Sequence, residues 1–228
     1  MRKLLFFLIV LAGLLVIVDR VAVAGVERDL ANRIAAANNL KQSPSVSIEG
    51  IPFLTQAVSG KYEEVRFDLG TLTYAGVPIK DLRGAAYNVT APLMDVIQNR
   101  ANIVAGTIAI TGTITNQTID RFAPQGIKVA ADGDRLTASG ELPIGAQRFK
   151  FNAQMRLELV EGGTGIRVIA EKLDVENLPK VPDALASMVT YTISFKGKLP
   201  FDVKVTKLKP VPGGLELSAE ASNVPLRG

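Results

Sequence analysis

The sequence predicts an α+β fold: a highly twisted antiparallel β-sheet wrapped around a long N-terminal amphipathic helix, with an apolar tubular cavity inside. Three observations predict it. Helical periodicity is extended in one place only, near the N-terminus, where Val23, Val26, Leu30, Ile34 and Ala37 recur at spacings of three and four. Beyond residue 45, apolar and polar residues alternate in long runs broken by short turns rich in Gly, Pro, Asn and Asp, as in antiparallel strands with one buried and one wet face. The alternation slips by one at Gly70 and again near Glu171-Lys172, the mark of β-bulges, and a bulged sheet of roughly nine or ten strands curls.

In chain order, Arg2-Lys3 precede fifteen uncharged apolar or glycine residues, Leu4–Val18, and Asp19-Arg20 close the run. This is a signal or anchor segment, residues 1–20. The triplet Ala22-Val23-Ala24 before Gly25 fits a cleavage site, but cutting there removes the first turn of the amphipathic helix. Whether the segment is cleaved or retained stays open at this point. Either way the basic N-terminus stays inside, so the protein is exported and lies on the outer side of the plasma membrane, with residues 4–18 as its anchor if they are kept. Residues 21–228 read as a single domain.

Asn38-Asn39 stop the helix and Ser43-Pro44 turn the chain. Ser45–Glu49 is a short strand. The proline in Gly50–Gln56 argues against an interior strand there, leaving a hydrophobic plug or an apolar lip at the mouth of a pocket. Strands follow around Val65–Tyr74, Ala85–Ala91 and Val104–Thr115, with the mixed stretch Asp95–Asn102 unassigned. Asn116–Phe122 reads as a short helix with Asn116 as its N-cap. Ile127–Ala130 and Leu136–Leu142 flank the turn Asp132-Gly133-Asp134. Arg148–Val160 is the clearest strand, with Phe149, Phe151, Ala153, Met155, Leu157 and Leu159 on one face. Ile166–Glu176, a helical turn at Asp183–Met188, a strand through Leu199, Phe201, Val203 and Val205, and a last strand from Leu215 complete the chain.

Composition excludes much chemistry. The chain has no Cys and no His, so disulfides, thiolate sites, Ser-His-Asp triads and His-based metal sites are closed to it. Glu63 and Glu64 point to opposite faces of a strand and cannot act as an acid/base pair. Asp132-Gly133-Asp134 lacks the rest of a calcium loop. No catalytic residue, metal site or cofactor is assigned. The net charge of +4 is carried partly by the N-terminal segment and there is no Trp, which argues against nucleic acid as a partner. Oligomeric state is not legible.

The block Ser45-Val46-Ser47-Ile48-Glu49-Gly50-Ile51-Pro52-Phe53-Leu54-Thr55-Gln56, with Gly60-Lys61-Tyr62 and Val65 after it, resembles the signature of the LmeA-like phospholipid-binding proteins of the actinobacterial cell envelope. Asp19-Arg20-Val21-Ala22, Leu199-Pro200-Phe201, Gly213-Gly214-Leu215 and Asn223-Val224-Pro225-Leu226 are similar to that family too. The resemblance implies a tubular lipid-binding fold, phospholipid and membrane as partners, a part in maintaining envelope lipids or lipoglycans, and no catalytic motif. With it, the residues expected to meet acyl chains are Leu30, Ile34, Ile51, Phe53, Leu54, Val65, Phe67, Phe149, Phe151, Met155, Leu157 and Phe201. Cores and lipid cavities are lined by the same residue types, so a filled core that scaffolds a protein partner is the alternative. Lys196, Lys198 and Lys204, with Lys207 and Lys209 close by, are candidate head-group contacts or the charged guard of a sheet edge.

Overall fold

The computed structural model describes residues 2–40, 42–74, 76–92, 103–144, 147–178, 183–194 and 201–226. Helices are α1 (Arg2–Asn38), α2 (Phe53–Ser59), α3 (Asn116–Asp120) and α4 (Asp183–Met188). Strands are β1 (Ser45–Glu49), β2 (Lys61–Tyr74), β3 (Val77–Thr90), β4 (Ile103–Thr115), β5 (Ile127–Asp132), β6 (Arg135–Ile144), β7 (Gln147–Val160), β8 (Gly165–Val175), β9 (Tyr191–Ser194), β10 (Lys204–Val211) and β11 (Gly214–Leu226). They form two antiparallel sheets, ordered β1-β2-β3-β4-β11-β10 and β5-β6-β7-β8-β9, where the alternation alone suggests one. Alternation specifies strands but says nothing about which strand pairs with which.

The chain packs as two compact units. The first comprises Met1–Gly70, Arg83–Ala109 and Ser222–Gly228, the second Thr71–Leu82 and Ile110–Ala221. In the first unit, the apolar run and the amphipathic segment form one continuous helix, which ends at Asn39 in the left-handed conformation (φ 50°). Its covered face is only partly the predicted one. Asp19, Val23 and Ala31 are buried and Glu27, Leu30 and Ile34 half-buried, whereas Val26 and Ala37 are exposed. A buried stripe at steps of four, Asp19-Val23-Glu27-Ala31, recruits two acidic residues because each has a partner on a neighbouring element. Val23, Ile48, Phe53, Ala57, Tyr62, Ala86, Val89, Ala91 and Ala105 make the core of this unit.

In the second unit, β7 behaves as its sequence demands. Phe151, Ala153 and Met155 are buried while Lys150, Asn152, Gln154 and Arg156 are exposed. In the register with β8, Gln154 opposes Lys172 and Met155 opposes Ala170, so Glu171 is the extra residue of the predicted bulge. Val129, Leu136, Phe151, Val175 and Val189 are almost wholly enclosed, and Leu208 of β10 and Leu217 of β11 pack against that core. The strand predicted through Leu199–Val205 begins only at Lys204. Phe201 is exposed at φ 58°, a conformation no regular strand accepts, and Leu199 lies outside the described residues. The unassigned stretch 95–102 likewise falls outside them.

Asn116 does not cap α3. The N-cap is Thr115, and the Asn116 amide instead clamps Ala131 of β5, donating to its carbonyl at 3.1 Å and accepting its N–H at 2.8 Å. Strand β9, unpredicted, pairs with β8. Its Tyr191 packs against the core with its hydroxyl buried and without a hydrogen-bond partner among the described residues. Burial, with the Asp120 charge adding to it, pushes this phenol up to about 12.

Two outcomes follow from this core. Replacing Phe151, 2% exposed, by Ala is expected to cost about 3–5 kcal/mol in denaturant unfolding. Between pH 10 and about 12 the unfolded chain releases the Tyr191 proton that the folded chain retains, so stability falls as pH climbs through that window. The decline should be shallower for Tyr191→Phe in thermal melts across it; equal slopes would contradict the buried phenol.

Candidate functional site

The most heavily constrained corner of the first unit is where α1, the end of β1, α2 and the start of β2 meet. Pro52 stands at the N-cap of α2 and offers no side-chain acceptor, so the first N–H groups of that helix need an acceptor from elsewhere. Asp19 of α1 supplies it. Its Oδ1 accepts the Leu54 N–H at 2.8 Å, and its Oδ2 accepts from the Arg20 guanidinium. A carboxylate at this end of a helix also meets the positive end of the peptide dipoles. Asp19 is only 4% exposed, and a charge so enclosed persists because hydrogen bonds and a counter-charge surround it.

Gln56 then fastens α2 to the sheet. Its Nε2 donates to the Glu49 carbonyl at 2.9 Å and its Oε1 accepts the Glu63 N–H at 3.0 Å. Gly50 (φ +100°) leaves room for this bridge, since a Cβ there would stand 2.6 Å from Gln56 Nε2. Gly60, left-handed at φ +66°, ends α2 against the backbone of Pro92, where a Cβ would come within 2.8 Å. Phe53 is buried with its ring centroid 6.2 Å from that of Tyr62, whose phenol is pushed up by burial.

A second polar tie joins α1 to β1. Glu27 Oε1 accepts the Ile48 N–H at 2.8 Å. Because β1 ends its sheet with β2 as its sole neighbour, this donor points outward and would otherwise be an open edge group.

The structure divides the predicted acyl-chain residues. Phe53, Leu54 and Val65 belong to the core of the first unit. Leu30, Ile34 and Phe67 are half-buried in the same unit, and in the β1–β2 ladder Val65 and Phe67 lie opposite Ile48 and Val46. Phe149, Phe151, Met155 and Leu157 gather instead in the core of the second unit. Ile51 and Phe201 are exposed and belong to neither. Lys204, Lys207 and Lys209 are exposed on β10, the last strand of its sheet, while Lys196 and Lys198 lie outside the described residues. Among the described residues, no group of three His, Cys, Asp or Glu side chains is placed to hold a metal.

Sequence reasoning missed Asp19, Glu27 and Gln56. A proline at a helix start with no local acceptor, and acidic residues four positions before and after Val23, were the available signals.

A family model described as LmeA-like phospholipid-binding matches residues 17–220. The chain belongs to the LmeA-like phospholipid-binding family. No curated protein and no solved structure matches it. The match takes in Asp19, the α2 corner and both units, and starts only after most of the apolar run. Among the described residues, α1 alone is long and apolar enough to cross a membrane, a property that signal sequences near an N-terminus share.

Asp19→Ala is expected to fray α2, read as faster amide hydrogen exchange at Leu54, while Asp19→Asn, itself a good helix cap, retains most of the protection. Phe53→Ala should lower unfolding stability by about 3–5 kcal/mol. Unchanged exchange at Leu54 in Asp19→Ala would remove Asp19 from this role.

Proposed function

We propose that this protein is a non-enzymatic phospholipid-binding protein of the cell envelope, in which residues 21–228 act as one lipid-binding domain held at the membrane by residues 4–18. Family membership supports the ligand class. The observation that carries the placement is a set of half-covered apolar side chains in the unit that carries the apolar run: Leu30 and Ile34 on α1 and Val65, Phe67 and Leu69 on β2. An acyl chain laid against those residues removes their remaining surface from water, at about 0.8 kcal/mol per buried methylene.

Retention of the anchor is favoured by what a cut at Ala24-Gly25 would remove. Asp19, which caps α2, and Val23, which is 5% exposed in the core, both lie before it. The helix is therefore part of the folded domain, and the domain stays on the outer face of the membrane. A scaffold with a filled core is the second reading, favoured by the dense packing around Phe151 and Val189 in the second unit.

Native mass spectrometry with organic extraction of the full chain tests the first reading. Phospholipid at near-stoichiometric occupancy is expected, and Leu30→Asn/Ile34→Asn should reduce it about tenfold, the equivalent of about 1.4 kcal/mol. A chain that carries no lipid and takes none from vesicles would leave the scaffold standing.

A further inference from the structure

The apolar run Leu4–Val18 is short for its task. Fifteen helical residues rise about 22 Å, against a hydrocarbon layer of about 30 Å. A bilayer entered by this segment therefore draws in whatever lies next to its two ends, or thins to meet it. At the inner end stand Arg2 and Lys3, whose long side chains reach out to the head groups. At the outer end the next residue is Asp19, and its carboxylate is covered by the first turn of α2.

That cover carries exposed apolar side chains at both of its ends: Ile51, just before the helix, is 77% exposed and Val58, in its last turn, 82% exposed, with Leu54 half-buried and the polar Thr55 and Ser59 exposed alongside. On α1 itself Val21 is 68% exposed, beyond the charged pair. The inner side of α2 carries Phe53 and Ala57 into the core, and the Asp19 and Gln56 hydrogen bonds fix the helix in place. Thus α2 is a rigid, amphipathic element pinned to the residue at which the apolar run ends.

We propose that Ile51 and Val58 insert into the outer interfacial zone of the bilayer that Leu4–Val18 enters. The occupant of this face is lipid rather than protein, because the Asp19 hydrogen bond sets the start of α2 at the depth where the anchor leaves the hydrocarbon. The α2 foot extends the apolar length of the anchor and fixes the angle at which the first unit meets the membrane. The inference rests on the reading of α1 as a retained anchor.

The chain contains no Trp, so one introduced Trp is a clean reporter. Ile51→Trp and Val58→Trp chains, reconstituted at full length into phosphatidylcholine–phosphatidylglycerol vesicles, should emit at shorter wavelength than free tryptophan in buffer. They should be shielded from aqueous iodide and quenched at least twofold by lipids brominated near the head-group end of the acyl chain. Adding Asp19→Ala should weaken that quenching. Emission open to iodide and untouched by brominated lipid at both positions overturns the proposal and leaves the face to water or a protein partner. Native mass spectrometry of the same variants in detergent, before reconstitution, reads lipid carriage separately: bound lipid without Trp quenching sinks the foot alone, and quenching without bound lipid sinks carriage alone.

Discussion

The hydrogen bond from the Leu54 N–H to Asp19 is the interaction on which the first unit depends. It joins the last turn of an apolar helix segment to a two-turn helix that could not stand alone, since short helices are marginal in water and this one opens on a proline without an acceptor. Once α2 is fixed, Phe53 and Ala57 have a core to enter, Gln56 reaches the backbones of both β1 and β2, and Gly60 returns the chain into the sheet. The signature block between residues 45 and 62 is therefore, in the main, a joint. Its side chains hold one helix to another and to a sheet edge, and the residues left facing outward are mixed: Ile51, Pro52 and Val58 beside Ser45, Thr55, Ser59 and Lys61.

Each unit combines an enclosed core with half-covered apolar side chains around it. In the second, Val129, Phe151, Val175 and Val189 are enclosed on all sides, and the Asn116 clamp and Asp120 complete the backbone pairing of β5. In the first, the strand face of Val65, Phe67 and Leu69 and the helix side of Leu30 and Ile34 remain half open to solvent. The family to which the chain belongs is described as phospholipid-binding, and half-covered apolar side chains occur in both units.

Much of this was legible because period-two alternation and bulge slips are local. β7, the Glu171 bulge, the Asp183–Met188 helix and the stop at Asn39 each follow from a few neighbouring residues. What escaped depends on partners distant in sequence. Asp19 acts thirty-five residues away, Glu27 twenty-one and Asn116 fifteen, and each looked like an ordinary surface or capping residue until its partner was in view. The covered side of α1 was foreseen at Val23, Leu30 and Ile34 but not at Asp19 and Glu27, since acidic residues do not read as part of an apolar stripe. Phe201 was lost to a backbone conformation that alternation does not encode. Lipid contact itself was beyond reach, because partial and complete burial use the same residues, as Phe67 and Phe151 illustrate.

The Glu27–Ile48 hydrogen bond has a further consequence for the chain away from its membrane. With α1 in place, β1 presents a strand edge whose outward donor is already satisfied. Proteolysis between Asn38 and Ser45, or release of the helix, converts that edge into a template for strand addition, flanked by the apolar Val46 and Ile48. The long N-terminal helix thus also shields the edge of its sheet, and its loss becomes a solubility hazard.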